Sequence, residues 1–237
     1  MSQELTVIII TAASIGLFHT LLGPDHYLPF IVMSRARKWS LIKTTWITVL
    51  CGIGHVLSSV LLGIIGIVLG ISIRKLELVE SFRGGLASWI LIAFGIGYFI
   101  WGLFRARRNR PHIHWHAHED MSSQIHRHTH GKDNLHIHKG EGAKNLTPWV
   151  LFTIFVFGPC EPLIPLLMYP AAKSSIFGLA LVTGVFGIVT IATMLSIVIL
   201  LSSGANLLPM GRLERYTHAL AGGTICICGI AVKFLGL

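Results

Sequence analysis

The stretch HTLLGPDHYLPF, His19–Phe30, interrupts a long apolar N-terminal run. It holds two histidines, an aspartate and two prolines where a bilayer-crossing helix needs hydrocarbon side chains. An ionisable group at the bilayer centre costs about 2.5–3.5 kcal/mol on insertion scales. Proline inside a helix removes a backbone hydrogen bond and clashes with the preceding turn. The stretch therefore predicts a break in a membrane helix with polar groups beside it.

The surrounding chain fits a membrane protein. Of 237 residues, 53% are hydrophobic and 12% are charged, against about 25% charged in soluble domains. Apolar runs long enough for a hydrocarbon core of about 30 Å recur along it. They fall at Leu5–Met33, Lys43–Ile71, Gly84–Phe104, Pro148–Pro170, Ile176–Ser202 and Thr217–Leu237. The first lacks the basic start and small-residue cleavage site of a signal peptide, so it reads as a retained helix. A nucleic-acid surface is not expected, because no soluble domain carries the basic residues.

Those basic residues instead report topology. Arg35, Arg37, Lys38 and Lys43 follow the first run. Arg105, Arg107, Arg108 and Arg110 follow the third, and Arg212 and Arg215 precede the sixth. The connection holding Arg74, Lys75 and Arg83 is offset by Glu77 and Glu80. The positive-inside rule then puts the first, third and fifth connections in the cytoplasm and both termini outside. The expected location is the inner membrane.

A shift of 135 residues lays GPDHYLPF, Gly23–Phe30, on GPCEPLIP, Gly158–Pro165. Gly23 falls on Gly158, Pro24 on Pro159, Asp25 on Cys160 and His26 on Glu161. Ala36 falls on Ala171, Lys38 on Lys173 and Gly52 on Gly187. One residue of drift later, Gly95 falls on Gly229 and Gly102 on Gly236. Three helices per half make the second copy enter the membrane in the opposite sense. The expected fold is all-α, with six transmembrane helices in two inverted repeats. Residues 1–104 form the first repeat, 105–147 a cytoplasmic loop and 148–237 the second repeat. Helices one and four are expected to break at Gly23-Pro24 and Gly158-Pro159. Paired breaks in two halves point to a transport site near the midplane.

Imidazole, carboxylate and thiolate are ligands for a first-row cation such as Ni²⁺, Co²⁺ or Zn²⁺. The candidate ligands are His19, Asp25, His26, Cys160 and Glu161, with His55 in GIGHVLSS lining the path. His19 and His26 return to nearly the same helix face, and the break can swing Asp25 towards them. The repeat counterpart of His55 is Thr190. Structural hydrogen bonding across helices is the plainer role for each of these groups. Cys160 also admits a redox role, but its repeat mate is Asp25 and no partner cysteine is evident. Cys51, Cys226 and Cys228 lie in other apolar runs.

Nine of the thirteen histidines lie between the third and fourth runs: His112, His114, His116, His118, His126, His128, His130, His136 and His138. So polar a tract cannot bury enough apolar surface to fold alone. It is expected to be a disordered metal-gathering loop. A pH-sensing loop is the rival reading, because imidazoles titrate near neutrality.

HTLLGPDH resembles the His-x5-Asp-His first-helix signature of the hydrogenase/urease accessory nickel permeases, in the nickel/cobalt transporter superfamily. The His-rich loop is similar to that of nickel/cobalt efflux proteins. FGPCEPLIP resembles the Pro-Cys-x-x-x-x-Pro element of the thiol-disulfide transmembrane carriers of cytochrome c biogenesis, a related group. The first resemblance implies metal selection by His19, Asp25 and His26. The expected protein is a transporter and not an enzyme. It carries Ni²⁺ or Co²⁺, with Zn²⁺ also suited, has no resident cofactor, and favours export slightly. A thiol-disulfide electron carrier using Cys160 and an exporter of a small sulfur-containing anion are the alternatives. The bilayer and the metal ion are its expected partners, with a second copy or a metallochaperone in view.

Overall fold

The computed structural model describes residues 3–108, 112–116, 124–128, 146–158, 160, 162–172, 175–207 and 211–235. The elements in chain order are α1 (Gln3–Leu22), a 3₁₀ turn (Pro24–His26), α2 (Leu28–Ala36), α3 (Leu41–Val68) and α4 (Ile73–Arg108). Next come β1 (His112–His116) and β2 (Gln124–His128), then α5 (Thr147–Phe157), α6 (Leu163–Ala172) and α7 (Ile176–Leu207). A second 3₁₀ stretch, Gly211–Tyr216, leads into α8 (Thr217–Leu235). The chain is a multi-pass helical membrane protein. Among the described residues, five helical stretches are long and apolar enough to cross a bilayer: Gln3–Leu22, Leu41–Val68, Ile73–Arg108, Ile176–Gly204 and Leu213–Leu235.

The apolar run expected at 148–170 is divided between α5 and α6, of 11 and 10 residues. Neither is long enough alone to cross. The run expected at 5–33 is likewise divided among α1, the 3₁₀ turn and α2. Another difference lies at the third run. Its expected start was Gly84, with Glu80 and Arg83 outside it. Helix α4 instead begins at Ile73, and Glu80 is fully buried. Within the expected disordered loop, β1 and β2 pair antiparallel, with His112 opposite His128 and His114 opposite His126. His118, His130, His136 and His138 lie outside the described residues.

Local chemistry sets the helix ends. Ser40 caps α3 by accepting from the Lys43 amide at 3.2 Å, satisfying one orphan donor of the first turn. Gly70 ends α3 with φ +64°, a left-handed conformation that glycine adopts without a Cβ penalty. Pro24 has no amide to continue α1, so the ladder ends with Gly23 N donating to His19 O at 3.0 Å.

The helices turn small residues inward and large ones outward. On α1, Ala12, Gly16 and Thr20 are buried, while Val7, Ile10, Phe18 and Leu22 are exposed. Lipid tails are as apolar as leucine, so helix association depends on close packing at small residues. A Cβ on Gly16 would stand 3.2 Å from Phe186 O of α7.

The longest seam joins α4 to α8, and α1 lies on α7 while α5 lies on α3. Helices α3 and α7 also cross. At that crossing, a Cβ on Gly52 would meet Ile191 at 3.1 Å, and one on Gly187 would meet Val56 at 3.3 Å. A shift of 135 residues exchanges these two contacts. On the α4–α8 seam, Gly95 abuts the backbone of Cys226, and Gly229 abuts the backbone of Ile92. A shift of 134 exchanges that pair.

Candidate metal centre

Three imidazoles meet where α1 ends and α3 passes. His19 is in the last turn of α1, His26 closes the 3₁₀ turn, and His55 lies mid-way along α3. Ring centroids are 4.8 Å apart for His19–His26, 5.1 Å for His26–His55 and 6.4 Å for His19–His55. One donor atom from each can be chosen so that all three lie within 4.8 Å of one another. His26 and His55 are buried.

The hydrogen bonds select a tautomer. His26 Nδ1 lies 3.1 Å from both Asp25 Oδ1 and Gly23 O. His55 Nδ1 lies 3.3 Å from Phe155 O. These partners are oxygens, so each Nδ1 carries the proton and donates. In the neutral ring, Nε2 is then left with a free lone pair. Among the described residues, the Nε2 atoms of His19, His26 and His55 are all buried without a hydrogen-bond partner. Buried polar groups are ordinarily paired. Three orphaned imidazole nitrogens on neighbouring rings could hold a cation. A metal-bound histidine usually gives its other N–H to a carboxylate or backbone carbonyl, as His26 and His55 do here.

Distances fit this chemistry. Histidine nitrogens bind first-row metals at about 2.0–2.1 Å, so two donors on one ion are at most about 4.2 Å apart. The present set, within 4.8 Å, stands a few tenths of an ångström outside that limit. The two glycines of the Gly-Pro steps leave the rings room. A Cβ on Gly23 would crowd His26 Nδ1, and one on Gly158 would stand 3.2 Å from His55 Nδ1. A cavity of about 30 Å³ adjoins the rings, lined by Asp25, His26, His55, Gly84 and Gly158 among others.

The candidates named from sequence thus separate. His19, His26 and His55 come together. Asp25 sits behind His26, as its hydrogen-bond partner, and is not among the grouped donors. Cys160 is buried in an apolar cluster with Ala12, Val56, Leu163, Leu166, Leu167, Val182 and Phe186, which contains no second cysteine. Cys51 and Cys228 belong to a different cluster. Pro159 and Glu161 lie outside the described residues. Thr190, the counterpart of His55, is buried, and its hydroxyl oxygen has no partner among the described residues.

Sequence reading missed the buried Glu80–Arg83 pair. The spacing of three permits a one-turn ion pair, but its position between apolar runs hid the signal.

Fold and site together define a multi-pass membrane protein with a polar centre at the end of an interrupted helix. The chain belongs to the family described as the cytochrome C biogenesis protein transmembrane region, which matches residues 28–231. No match is found among curated proteins or among solved structures. The family is the group that FGPCEPLIP resembles, and the match does not support the nickel/cobalt permease assignment. The matched span includes His55 and Cys160 and starts beyond His19 and His26.

Proposed function

We propose that this chain is a membrane carrier of that family whose intramembrane centre takes a divalent first-row transition-metal ion, Ni²⁺ or Co²⁺ before Zn²⁺. The observation that supports it is the trio of buried Nε2 atoms on His19, His26 and His55, with two rings fixed by outer oxygens. Asp25 serves the site by orienting His26 and offsetting charge. The ion is cargo.

We infer further that α1–α2, α3 and α4 are one copy of a three-helix unit, and that α5–α6, α7 and α8 are its inverted copy. The reciprocal glycine contacts across α3–α7 and α4–α8 support this reading. Each broken pair then counts as one of six spans. Rocking of one copy against the other would expose the centre to each side in turn. The histidine tract would gather metal on the cytoplasmic face.

The test is metal uptake by proteoliposomes loaded with a metal-sensitive dye. Wild-type protein is expected to move Co²⁺ or Ni²⁺, and an inactive wild type would sink the carrier reading. Deleting residues 112–138 is expected to weaken apparent affinity while turnover persists at high metal. Complete loss of turnover would make that tract part of the path.

The family match favours a second reading, transmembrane thiol-disulfide exchange through Cys160. It requires a second thiol within reach, since Cα atoms of bridged cysteines lie within about 7 Å. Against it stands the apolar cluster of Cys160, which has no other cysteine. A mixed disulfide trapped between Cys160 and a soluble thioredoxin-like protein would establish this reading. The metal reading expects none, and expects Cys160→Ser to transport metal normally.

A further inference from the structure

Glu80 and Arg83 are not among the grouped imidazole donors, yet both sit inside the helix packing. Glu80 is fully buried, and Arg83 Nη1 donates to its Oε2 at 2.6 Å. A buried ion pair is a weak source of stability, because apolar side chains of similar volume often serve as well or better. The hydrogen bonds of Arg83 give the pair a role that apolar side chains could not fill.

The second guanidinium nitrogen, Nη2, donates to Ser58 Oγ of α3 and to Val156 O of α5, each at 2.8 Å. Ser58 Oγ donates in turn to His55 O at 2.8 Å. Val156 lies in the last turn of α5, which ends at Phe157. Carbonyls there have no amide partner within their own helix. The carbonyl one residue earlier, Phe155 O, accepts from Gly158 N at 3.1 Å and lies 3.3 Å from His55 Nδ1. Arg83 therefore holds both sides of the His55–Phe155 hydrogen bond. It reaches the backbone of His55 through Ser58, and it grips the peptide next to the Phe155 carbonyl directly.

The other buried ring needs no such help. His26 has the carboxylate of the adjacent residue, Asp25, at 3.1 Å. His55 has a backbone carbonyl of another helix, at a distance just beyond the ordinary range of about 2.7–3.2 Å for N–H···O. That carbonyl belongs to a helix end, so its own helix does not fix it fully. A tie from α4 supplies the missing constraint.

We propose that Arg83 is a positioning residue for the three-histidine centre. It clamps the last turn of α5 against α3, so that His55 donates from Nδ1 to Phe155 O and leaves Nε2 for an ion. Glu80 fixes the clamp by taking Nη1, which leaves Nη2 for Ser58 and Val156. The benefit to the ion rests on the carrier reading. The effect on His55 does not, and it is measurable without metal.

The test reads the tautomer of His55 by solid-state NMR of metal-free proteoliposomes at about pH 8, above the ordinary titration range of imidazole. The full chain carries isotope-labelled histidine, with the nine tract histidines changed to Gln, which leaves His19, His26, His55 and His218. The His55 signal is the one that disappears in His55→Ala. Wild type is expected to show the His55 proton on Nδ1. Arg83→Lys keeps a cation for Glu80, but one ammonium nitrogen cannot stand where both guanidinium nitrogens stand. It is expected to keep thermal stability near that of wild type and to show His55 as a mixture of both tautomers. Its Co²⁺ affinity is expected to fall about tenfold, the low end of the cost of losing an outer partner. Arg83→Gln is expected to show the same mixture, and if it fails to fold, Arg83→Lys carries the test. Arg74→Gln, on α4 but outside these hydrogen bonds, is expected to keep the wild-type signal.

A folded Arg83→Lys with His55 protonated wholly on Nδ1 would overturn the proposal. So would a mixed tautomer with Co²⁺ affinity equal to that of wild type, because the clamp would then serve packing alone. A wild type that binds no Co²⁺, while the tautomer still follows Arg83, would sink the metal reading and leave the clamp on His55 established.

Discussion

Replacing His55 with Ala will remove Co²⁺ binding from the purified protein, and His26→Ala will do the same. Each change takes one of three grouped imidazoles whose buried Nε2 has no hydrogen-bond partner among the described residues. Two imidazoles leave the ion one ligand short of the proposed three. The loss should exceed the 10–100-fold in affinity that removal of an outer-shell partner costs. The visible absorption of bound Co²⁺ and calorimetric titration both read it. The comparison with Asp25→Asn assigns the carboxylate. Asp25 touches His26 Nδ1, so the amide should weaken binding by about 10–100-fold, the cost of losing an outer partner, without abolishing it. Abolition in Asp25→Asn would make Asp25 a direct ligand, as the sequence reading has it. Unchanged Co²⁺ binding in His55→Ala would end the three-histidine reading. The histidine tract adds weaker sites, so these titrations belong on the chain lacking residues 112–138.

Much of this site is legible in the sequence, for reasons that can be named. Gly23-Pro24 and Gly158-Pro159 mark where a helix ladder must stop, and costly polar groups gather there. His19 and His26 are seven residues apart, which brings them to one side even with a break between them. The role of Asp25 was not legible. Whether its oxygen faces an ion or the back of His26 depends on the dihedral angles of the 3₁₀ turn. Cys160 was read with the metal ligands because it aligns with Asp25. Alignment between repeats does not fix side-chain direction, and Cys160 packs among Val56, Leu163 and Phe186. Glu80 and Arg83 were read as part of a connection because charge ordinarily marks the end of a membrane helix. Here they satisfy each other at 2.6 Å inside α4, and no hydropathy pattern reveals a pair that neutralises itself. The glycines had value as repeat markers, but their contacts become visible only when α4 lies against α8.

Those contacts carry the other large effect. Gly95→Leu will destabilise the protein and weaken metal binding, whereas Gly97→Leu, two residues away, will do neither. A Cβ on Gly95 runs into the backbone of Cys226, and one on Gly222 runs into the backbone of Phe99. Backbone atoms cannot rotate aside as a side-chain end can, so the two helices must separate. Overpacking costs typically 1–3 kcal/mol even where flexible side chains give way, roughly the lower bound here. In a bilayer the loss is hard to recover, because no hydrophobic gain draws the separated helices together. Gly97 faces outward with nothing within 4 Å of its Cβ position, so leucine there meets only lipid. It should gain about 1 kcal/mol of helix propensity over glycine. Thermal unfolding in detergent separates the two outcomes. The effect should reach the three-histidine centre through α2, which packs on α8 directly after the turn carrying Asp25 and His26. A displaced α8 takes that turn with it, and His26 moves relative to His55. Co²⁺ affinity should therefore fall in Gly95→Leu even at temperatures where the protein stays folded. A destabilised Gly95→Leu that binds Co²⁺ as wild type does would show that the centre is held by α1 and α3 alone.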